Sequence, residues 1–160
     1  MHRNVVLVID AARAQGLELA TTTYPEGTRT AEDAARAIGV DVGQIVKSLV
    51  FAVDDEPVVA LVSGANQLDE LKLAAAAGGT RARRLDADAV REVTGFPVGG
   101  VPPFGHRQPL RVFADESLLG YEQVWAAAGT PRDNFAIAPA ELVRVTAAAV
   151  CDLARRSAKT

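Results

Sequence analysis

Lys47 is a solitary cation inside the apolar run IVKSLVF, which covers residues 45–51. If this run is a strand, alternation places Lys47 on the same face as Ile45, Leu49 and Phe51. A lysine is rarely fully buried without a partner, so this setting indicates a cleft where an anion, a hydroxyl or a phosphate meets the ammonium. The alternative is a lysine at a sheet edge, whose stem covers apolar surface while its head reaches water.

The segment GFPVGGVPPFGH, residues 95–106, combines four glycines with three prolines. This composition excludes the interior of a helix or of a central strand and predicts a constrained loop. Gly99 and Gly100 allow backbone groups to approach a ligand closely, and Pro102 and Pro103 stiffen the chain that follows. A tight structural turn explains the segment equally well. The glycine order matches neither a dinucleotide fingerprint nor a P-loop.

Two further segments place small polar groups near predicted strand ends. In LVSGANQLD, residues 61–69, Ser63 and Asn66 either face a ligand or cap the next helix. In AGTPRDNFAIAPAEL, residues 128–142, Asp133 and Asn134 either face a substrate amine or are turn residues. His106 is a candidate base, although a lone loop histidine is more often a hydrogen-bonded surface residue.

Several classes of chemistry lack the residues they need. The 160 residues include one cysteine and two histidines, so neither an internal disulfide nor a Cys/His zinc site can form, and no GxSxG or HExxH motif is present. We therefore expect no metal and no cofactor. The net charge of -3 argues against a protein that coats long nucleic acids, but a short nucleic-acid end is compatible with it. Local basic residues do cluster at Arg81, Arg83 and Arg84.

The composition is typical of a single globular domain. The length of 160 residues suits one domain, and no apolar run approaches the roughly 20 residues that a membrane helix needs. Asp10 and Arg13 interrupt the apolar start, which disfavours a secretory signal. We expect one soluble, cytoplasmic domain over residues 1–160, with no membrane partner.

The predicted elements that position these residues alternate between helices and strands. Helices are predicted over residues 4–15, from a Thr30 cap to Gly39, over 67–77, from an Asp86 cap to residue 94, and over 139–145. Strands are predicted over residues 17–23, 45–51, 58–63, 110–114, 124–128 and 135–138, the second and third forming a hairpin, whereas residues 147–153 are ambiguous. This order predicts an α/β or α+β fold, with a central mixed, largely antiparallel sheet surrounded by helices.

Five segments together resemble the successive signatures of one family. They are RTAEDAARAIGV, QIVKSLVF, LVSGANQLD, GFPVGGVPPFGH and AAAGTPRDNFAIAPAELVRVT. In this order, with a lone lysine in the second segment, the chain resembles the YbaK/ProX-like aminoacyl-tRNA deacylases, which are related to the editing insertion of bacterial prolyl-tRNA synthetases. The resemblance covers about residues 17–153.

The resemblance implies a hydrolase that removes a small, wrongly attached amino acid from tRNA without a metal or a covalent nucleophile. Lys47 matches the family's lysine, expected to contact the terminal adenosine or its phosphate, and residues 99–103 match its glycine-proline loop, whose backbone would orient the ester carbonyl and a water. The implied catalytic residues are Lys47, Gly99 and Gly100. The implied substrate-binding residues are Thr30, Ser48, Ser63, Asn66, Val101, Pro102, Pro103, Phe104, Gly105, His106, Gly129 and Asn134.

The chain departs from some relatives near the implied substrate amine. Some of them carry Ser near Ala127 or Ala128 and Asp at the position of Asn134, and others place a histidine where Thr130 follows Gly129. The expected substrate is therefore only a small residue such as Ala, Cys or Ser, on tRNA-Pro or a similar tRNA. The expected partners are the tRNA acceptor end and, second, a synthetase. The alternative is a regulatory module of the same fold that binds an aminoacyl or nucleotide group but has lost turnover.

Overall fold

The structure is a computed structural model that describes residues 1–156, so the last four residues of the domain predicted over 1–160 lie outside the described residues. Within them, the α-helices are α1 (Arg3–Ala14), α2 (Ala31–Ile38), α3 (Glu70–Ala76), α4 (Ala87–Thr94) and α5 (Pro139–Thr146). Two short 3-10 helices cover Val42–Gln44 and Glu116–Gly120. None of the described helices is long and apolar enough to cross a membrane.

The strands are β1 (Thr21–Thr23), β2 (Val46–Val53), β3 (Glu56–Ser63), β4 (Ala82–Arg84), β5 (Arg111–Asp115), β6 (Val124–Ala127), β7 (Asp133–Ile137) and β8 (Ala149–Cys151). They form a three-stranded antiparallel sheet of order β1-β7-β6 and a five-stranded sheet of order β4-β2-β3-β5-β8. In the larger sheet β2 pairs antiparallel with β3 and β4, whereas β5 runs parallel to β3 and β8. The predicted mixed α/β fold is confirmed, with its strands divided between two sheets.

Local capping sets the helix boundaries that the sequence predicts. The hydroxyl of Thr30 accepts a hydrogen bond from the Asp33 amide at the start of α2, and the carboxylate of Asp86 accepts one from the Ala89 amide at the start of α4. Both helices end on a glycine in the left-handed conformation, Gly39 and Gly95. These caps fix where the chain enters and leaves the two helices that flank the candidate site.

Two predicted elements begin later in the structure, and one strand was not predicted. The strand predicted over residues 17–23 contains only β1, because pairing with β7 begins at Thr21. The helix predicted over 67–77 begins later, since Asp69 is the residue whose side chain caps it. The ambiguous stretch 147–153 contains β8, and strand β4 has no counterpart in the prediction.

The β2-β3 hairpin separates two apolar clusters. Val46 and Val50 of β2 belong to the cluster that includes α1, β6 and Phe104 of the glycine loop. Phe51 and Val53 belong to the second cluster, with Leu73 of α3. Because β2 is packed on both sides, side chains along it are held firmly in position.

Candidate functional site

A cavity of about 520 Å³ lies beside β2, between the start of α2 and the glycine loop. This volume falls within the range of small-molecule sites. Its polar and charged lining comprises Thr28, Arg29, Thr30, Glu32, Lys47, Ser48, Gln67, Glu70, Arg84, Asn134 and Arg155. Its apolar lining includes Leu49, Phe51, Leu85, Val90, Val98, Val101 and Ala127. The cavity is therefore positively charged on one part of its wall and apolar on another.

The ammonium of Lys47 is the half-buried cation of this cavity. It donates a hydrogen bond to the backbone carbonyl of Asn66. Burial lowers the pKa of Lys47, Glu32 opposes that shift, and Arg84 adds to it. A partly desolvated ammonium with a single carbonyl acceptor has donors left for a ligand anion or oxygen.

Arg84 reaches the cavity from strand β4. Its guanidinium carbon lies 5.5 Å from the centroid of the Phe51 ring, a cation–π arrangement that holds the side chain beside β2. β4 pairs with β2 only at Phe51–Val53, so the preceding half of β2, which carries Lys47, borders the cavity. The cavity thus contains two cations on neighbouring strands.

Ser48 brings an unpartnered hydroxyl to the same cavity. Its Oγ is buried and has no hydrogen-bond partner within residues 1–156. A buried hydroxyl without a partner costs free energy, which a bound acceptor or donor would restore. Ser48 is therefore a direct ligand-binding candidate.

The glycine loop divides between the cavity and the core. Val98, Gly99 and Val101 line the cavity. Gly100 packs against the backbone of Thr130, where an added Cβ would lie 2.7 Å from the carbonyl carbon. The Gly100 amide donates to the Pro97 carbonyl at 2.9 Å, which closes a turn.

The opposite wall is built by Thr28 and Asn134. The side-chain amide of Asn134 donates a hydrogen bond to the Thr28 hydroxyl, and that hydroxyl donates one to the Pro131 carbonyl at 3.2 Å. The Thr28 amide donates to the same carbonyl at 2.7 Å. This network fixes Asn134, which is almost fully buried, with its side chain against the cavity.

The structure brings six of the residues implied by the family resemblance together in the cavity: Thr30, Lys47, Ser48, Gly99, Val101 and Asn134. The others lie outside its lining. Ser63 donates to the Gly43 carbonyl at 2.7 Å, and the Asn66 side chain donates to Ser117 at 3.1 Å. Their side chains stabilise the turn after β3, and Asn66 acts on the cavity only through the carbonyl that holds Lys47.

The second half of the glycine loop and Gly129 also lie away from the cavity lining. Pro102, Pro103 and Phe104 are buried, and the Phe104 ring packs 5.7 Å from that of Phe135. Nε2 of His106 lies 2.7 Å from the Pro102 carbonyl oxygen, and burial lowers the pKa of His106. The preceding Gly105 is exposed beside α1, with Ala11 3.0 Å from an added Cβ.

Gly129 approaches α1 instead. An added Cβ there would lie 2.9 Å from the Asn4 carbonyl oxygen, and the Gly129 carbonyl accepts from the Asn4 side chain at 3.0 Å. Gly129 therefore joins the turn before β7 to α1.

Sequence reasoning missed Thr28, Arg29 and Arg155 as cavity residues. Thr28 and Arg29 lie just before α2 and form no recognisable motif. Arg155 lies near the end of the described residues, far in sequence from the other residues of the cavity. Arg84 did carry a signal, since it belongs to the basic cluster at residues 81–84.

The cavity combines cations and a glycine-loop backbone that can bind an anionic or carbonyl oxygen. Its lining within residues 1–156 includes no histidine and no cysteine, and no group of three potential metal ligands occurs in that part of the chain. Cations and backbone amides can stabilise negative charge that develops on an oxygen. The arrangement suits electrostatic stabilisation more than nucleophilic catalysis by a side chain.

Known proteins resemble this chain in sequence and in structure. Residues 25–145 match the family model of the aminoacyl-tRNA editing domain. A proline–tRNA ligase of Maridesulfovibrio salexigens is 39% identical over 108 residues, which are 68% of this chain and 18% of the ligase. The chain thus spans about a fifth of that relative's length.

Two further proteins match over most of their own length. The uncharacterised protein YwhH of Bacillus subtilis is 33% identical over 121 residues, 76% of this chain and 77% of YwhH. The crystal structure of a proposed trans-editing enzyme for prolyl tRNA synthetase is 46% identical and has a TM-score of 0.92, covering 98% of this chain and 99% of the other.

Proposed function

The chain belongs to the aminoacyl-tRNA editing domain family, and from this premise we propose that it is a free-standing, cytoplasmic hydrolase that cleaves the ester of a mischarged aminoacyl-tRNA. Its substrate is a small amino acid such as Ala, Cys or Ser on tRNA-Pro or a similar tRNA. Similarity to a proline–tRNA ligase and to a proposed trans-editing enzyme for prolyl tRNA synthetase supports this choice of tRNA.

One observation carries the proposal: Lys47 and the glycine-loop residues Val98, Gly99 and Val101 line the same cavity. The ammonium binds the phosphate or the ribose of the terminal adenosine, and the apolar wall accepts the base. The loop then contacts the ester carbonyl. This division of tasks needs only a cation and backbone donors, which are the groups present there.

The reaction is a water attack on an ester that is already activated. The water oxygen adds to the carbonyl carbon, and the resulting oxyanion accepts hydrogen bonds from loop amides. Because the Gly100 amide already donates to Pro97, we assign this task to the amides of Gly99 and Val101. The bond between the carbonyl carbon and the ribose oxygen then breaks. The attacking water gives up a proton to the neighbouring ribose hydroxyl, which passes its own proton to the leaving ribose oxygen.

Gly100 then acts as a positioning residue. Its contact with the backbone of Thr130 holds the loop at a fixed distance from the opposite wall. Fixed donors are worth more to a transition state than mobile ones, because they need not reorganise during the reaction.

Selection of a small amino acid would follow from the wall formed by Ala127, Thr28 and Asn134. A pocket closed by such a wall discriminates by volume, as the second sieve of an editing system does. Asn134 offers a neutral amide where some relatives have a carboxylate, which reduces attraction for the substrate ammonium. This difference is the observation that favours the alternative, a binding module without turnover.

The test is deacylation of a panel of tRNAs charged with Ala, Cys, Ser, Thr or Pro. Loss of a charged hydrogen-bond donor costs about 1.5–3 kcal/mol, so Lys47→Ala should reduce kcat/KM by roughly 10- to 100-fold. The matched control is Lys72→Ala, since Lys72 pairs with Asp152 and does not line the cavity. Circular dichroism checks that both variants fold.

Cleavage of one small-amino-acid ester that depends on Lys47 but not on Lys72 supports the proposal. Absence of cleavage across the panel by folded parent protein, combined with binding of aminoacyl-tRNA, supports the binding module instead.

A further inference from the structure

A second cavity, of about 410 Å³, opens near the N-terminus of α1. Three arginines from separate parts of the chain line it: Arg3 of α1, Arg91 of α4 and Arg107 after the glycine loop. All three residues are exposed. Three guanidinium groups around one concave surface create a local positive potential in a chain whose net charge is -3.

Within residues 1–156, none of these three arginines forms an ion pair with a carboxylate. Other exposed arginines do: Arg13, Arg111 and Arg144 each have a carboxylate oxygen at 2.8 to 3.0 Å. Arg107 is oriented by the Glu92 carbonyl, 3.3 Å from its Nη1. These three guanidinium groups therefore have no carboxylate partner within 4.0 Å in the described residues, which leaves them accessible to an external anion.

Neighbouring residues of the same two segments line the two cavities. Pro97 lines the second cavity, whereas Val98 and Gly99 line the first. On the facing turn, Thr130 lines the second cavity and Asn134 the first. The contact between Gly100 and Thr130 lies between these lining residues, so the two cavities adjoin the same contact of loop and turn.

We propose that the second cavity binds a backbone phosphate of the same RNA whose aminoacylated end occupies the first cavity. This inference rests on the proposed function and extends it to a second contact. Guanidinium groups match the oxygens of a phosphate through paired hydrogen bonds, and a nucleic-acid strand presents such a phosphate at every nucleotide. An acidic protein segment would carry carboxylates at the same site, and the experiment separates these two ligands.

Two variants test the site. The double variant combines Arg3→Gln with Arg91→Gln, and the triple variant adds Arg107→Gln. The first two side chains donate no hydrogen bond to the described protein, so the double variant keeps the fold even if Arg107 also supports the loop. Arg13→Gln is the matched control, because it removes one charge from the same helix α1 where that charge is already paired with Glu18.

Binding of labelled, uncharged tRNA is measured between about 50 and 200 mM salt, with the tRNA that the deacylation panel identifies, or tRNA-Pro if it identifies none. Loss of one phosphate contact makes the negative slope of log association constant against log salt concentration shallower by about 0.7–0.9. The triple variant should show that loss and bind about tenfold more weakly at the lowest salt. The control should bind like the parent.

Hydrolysis gives an independent readout. The triple variant should raise KM for aminoacyl-tRNA and leave kcat unchanged, while an aminoacyl adenosine, which has no backbone phosphate, should be cleaved equally by all variants. Lys47-dependent hydrolysis with an unchanged salt slope in the triple variant would overturn the phosphate site and leave the proposed function intact. A reduced salt slope in the triple variant, without hydrolysis by any of the proteins, would support the phosphate site and overturn the proposed function.

Two further results would also overturn the phosphate site. One is a parent protein that binds no tRNA. The other is a triple variant that binds tRNA like the parent but loses affinity for a polyglutamate peptide.

Discussion

Gly100→Ala tests whether the close contact between the glycine loop and the turn before β7 holds the site together. A methyl group at Gly100 would lie 2.7, 2.8 and 2.9 Å from the carbonyl carbon, Cα and nitrogen of Thr130. All three atoms are backbone, so no side-chain rotation relieves the overlap. The loop or the turn must move by several tenths of an ångström.

The magnitude follows from two opposing contributions. Overpacking of a buried contact costs about 1–3 kcal/mol, and the lower entropy of alanine in the unfolded chain offsets about 0.4–1 kcal/mol. The midpoints of these two ranges leave a net destabilisation of about 1.3 kcal/mol. For a chain of this size each kcal/mol lowers Tm by about 2–4 °C, so Tm should fall by roughly 3–5 °C.

The assay is thermal and urea unfolding of the parent, Gly100→Ala and the matched control Gly120→Ala. An added Cβ at Gly120 meets nothing within 4 Å. The free energy of unfolding of Gly120→Ala should therefore equal that of the parent within about 0.5 kcal/mol, or be slightly higher. Deacylation by Gly100→Ala should also show a lower kcat, since the Gly99 and Val101 amides shift together with the loop. If Gly100→Ala is as stable and as active as Gly120→Ala, the reasoning from close approach is refuted.

Two pH dependences follow from buried groups. Because burial lowers the pKa of Lys47, its ammonium is lost at a lower pH than that of an ordinary lysine. Affinity for a non-hydrolysable amide analogue of aminoacyl-tRNA should therefore decline as pH rises toward 10.5, and Lys47→Arg should flatten that decline in titrations by fluorescence anisotropy. An equal decline in both proteins would exclude the lysine as its cause. Burial also lowers the pKa of His106, so the unfolded state takes up the proton first. The contribution of neutral His106 to the free energy of unfolding is therefore fully present above the unfolded pKa of about 6.5. It is lost as pH falls below that value. The urea midpoint should drop less steeply between pH 6.5 and 5 in His106→Gln than in the parent, and parallel curves would contradict this assignment.

The elements that flank the site could be predicted because their signals lie within a few residues of each other. The Thr30 and Asp86 caps and the terminal Gly39 and Gly95 define α2 and α4 in the sequence and in the structure. The β2-β3 hairpin was predicted from two β-branched runs around a turn. Capping and turn formation depend on neighbouring backbone groups, which is why a local pattern suffices.

The division of the glycine loop could not be predicted in the same way. Nothing in residues 95–106 distinguishes Gly99, which lines the cavity, from Gly100, which packs on Thr130. The difference arises from a turn some thirty positions further along the chain. His106 and Phe104 were expected at the substrate, but neither lines the cavity: Nε2 of His106 lies beside the Pro102 carbonyl oxygen, and the Phe104 ring packs against Phe135.

The amino-acid sequence was enough to predict the family, the mixed α/β class, a lysine in an apolar strand and a constrained glycine-proline loop. These depend on residue types and on periodicity along short stretches. The packing of the folded chain was needed to show that Thr28 and Asn134 form the opposite wall and that Arg84 reaches the cavity over Phe51. The same is true of the second cavity, which is lined by Arg3, Arg91 and Arg107. The physical reason is that a cavity is formed by contacts between residues far apart in the chain, whose meeting is set by packing and by strand register.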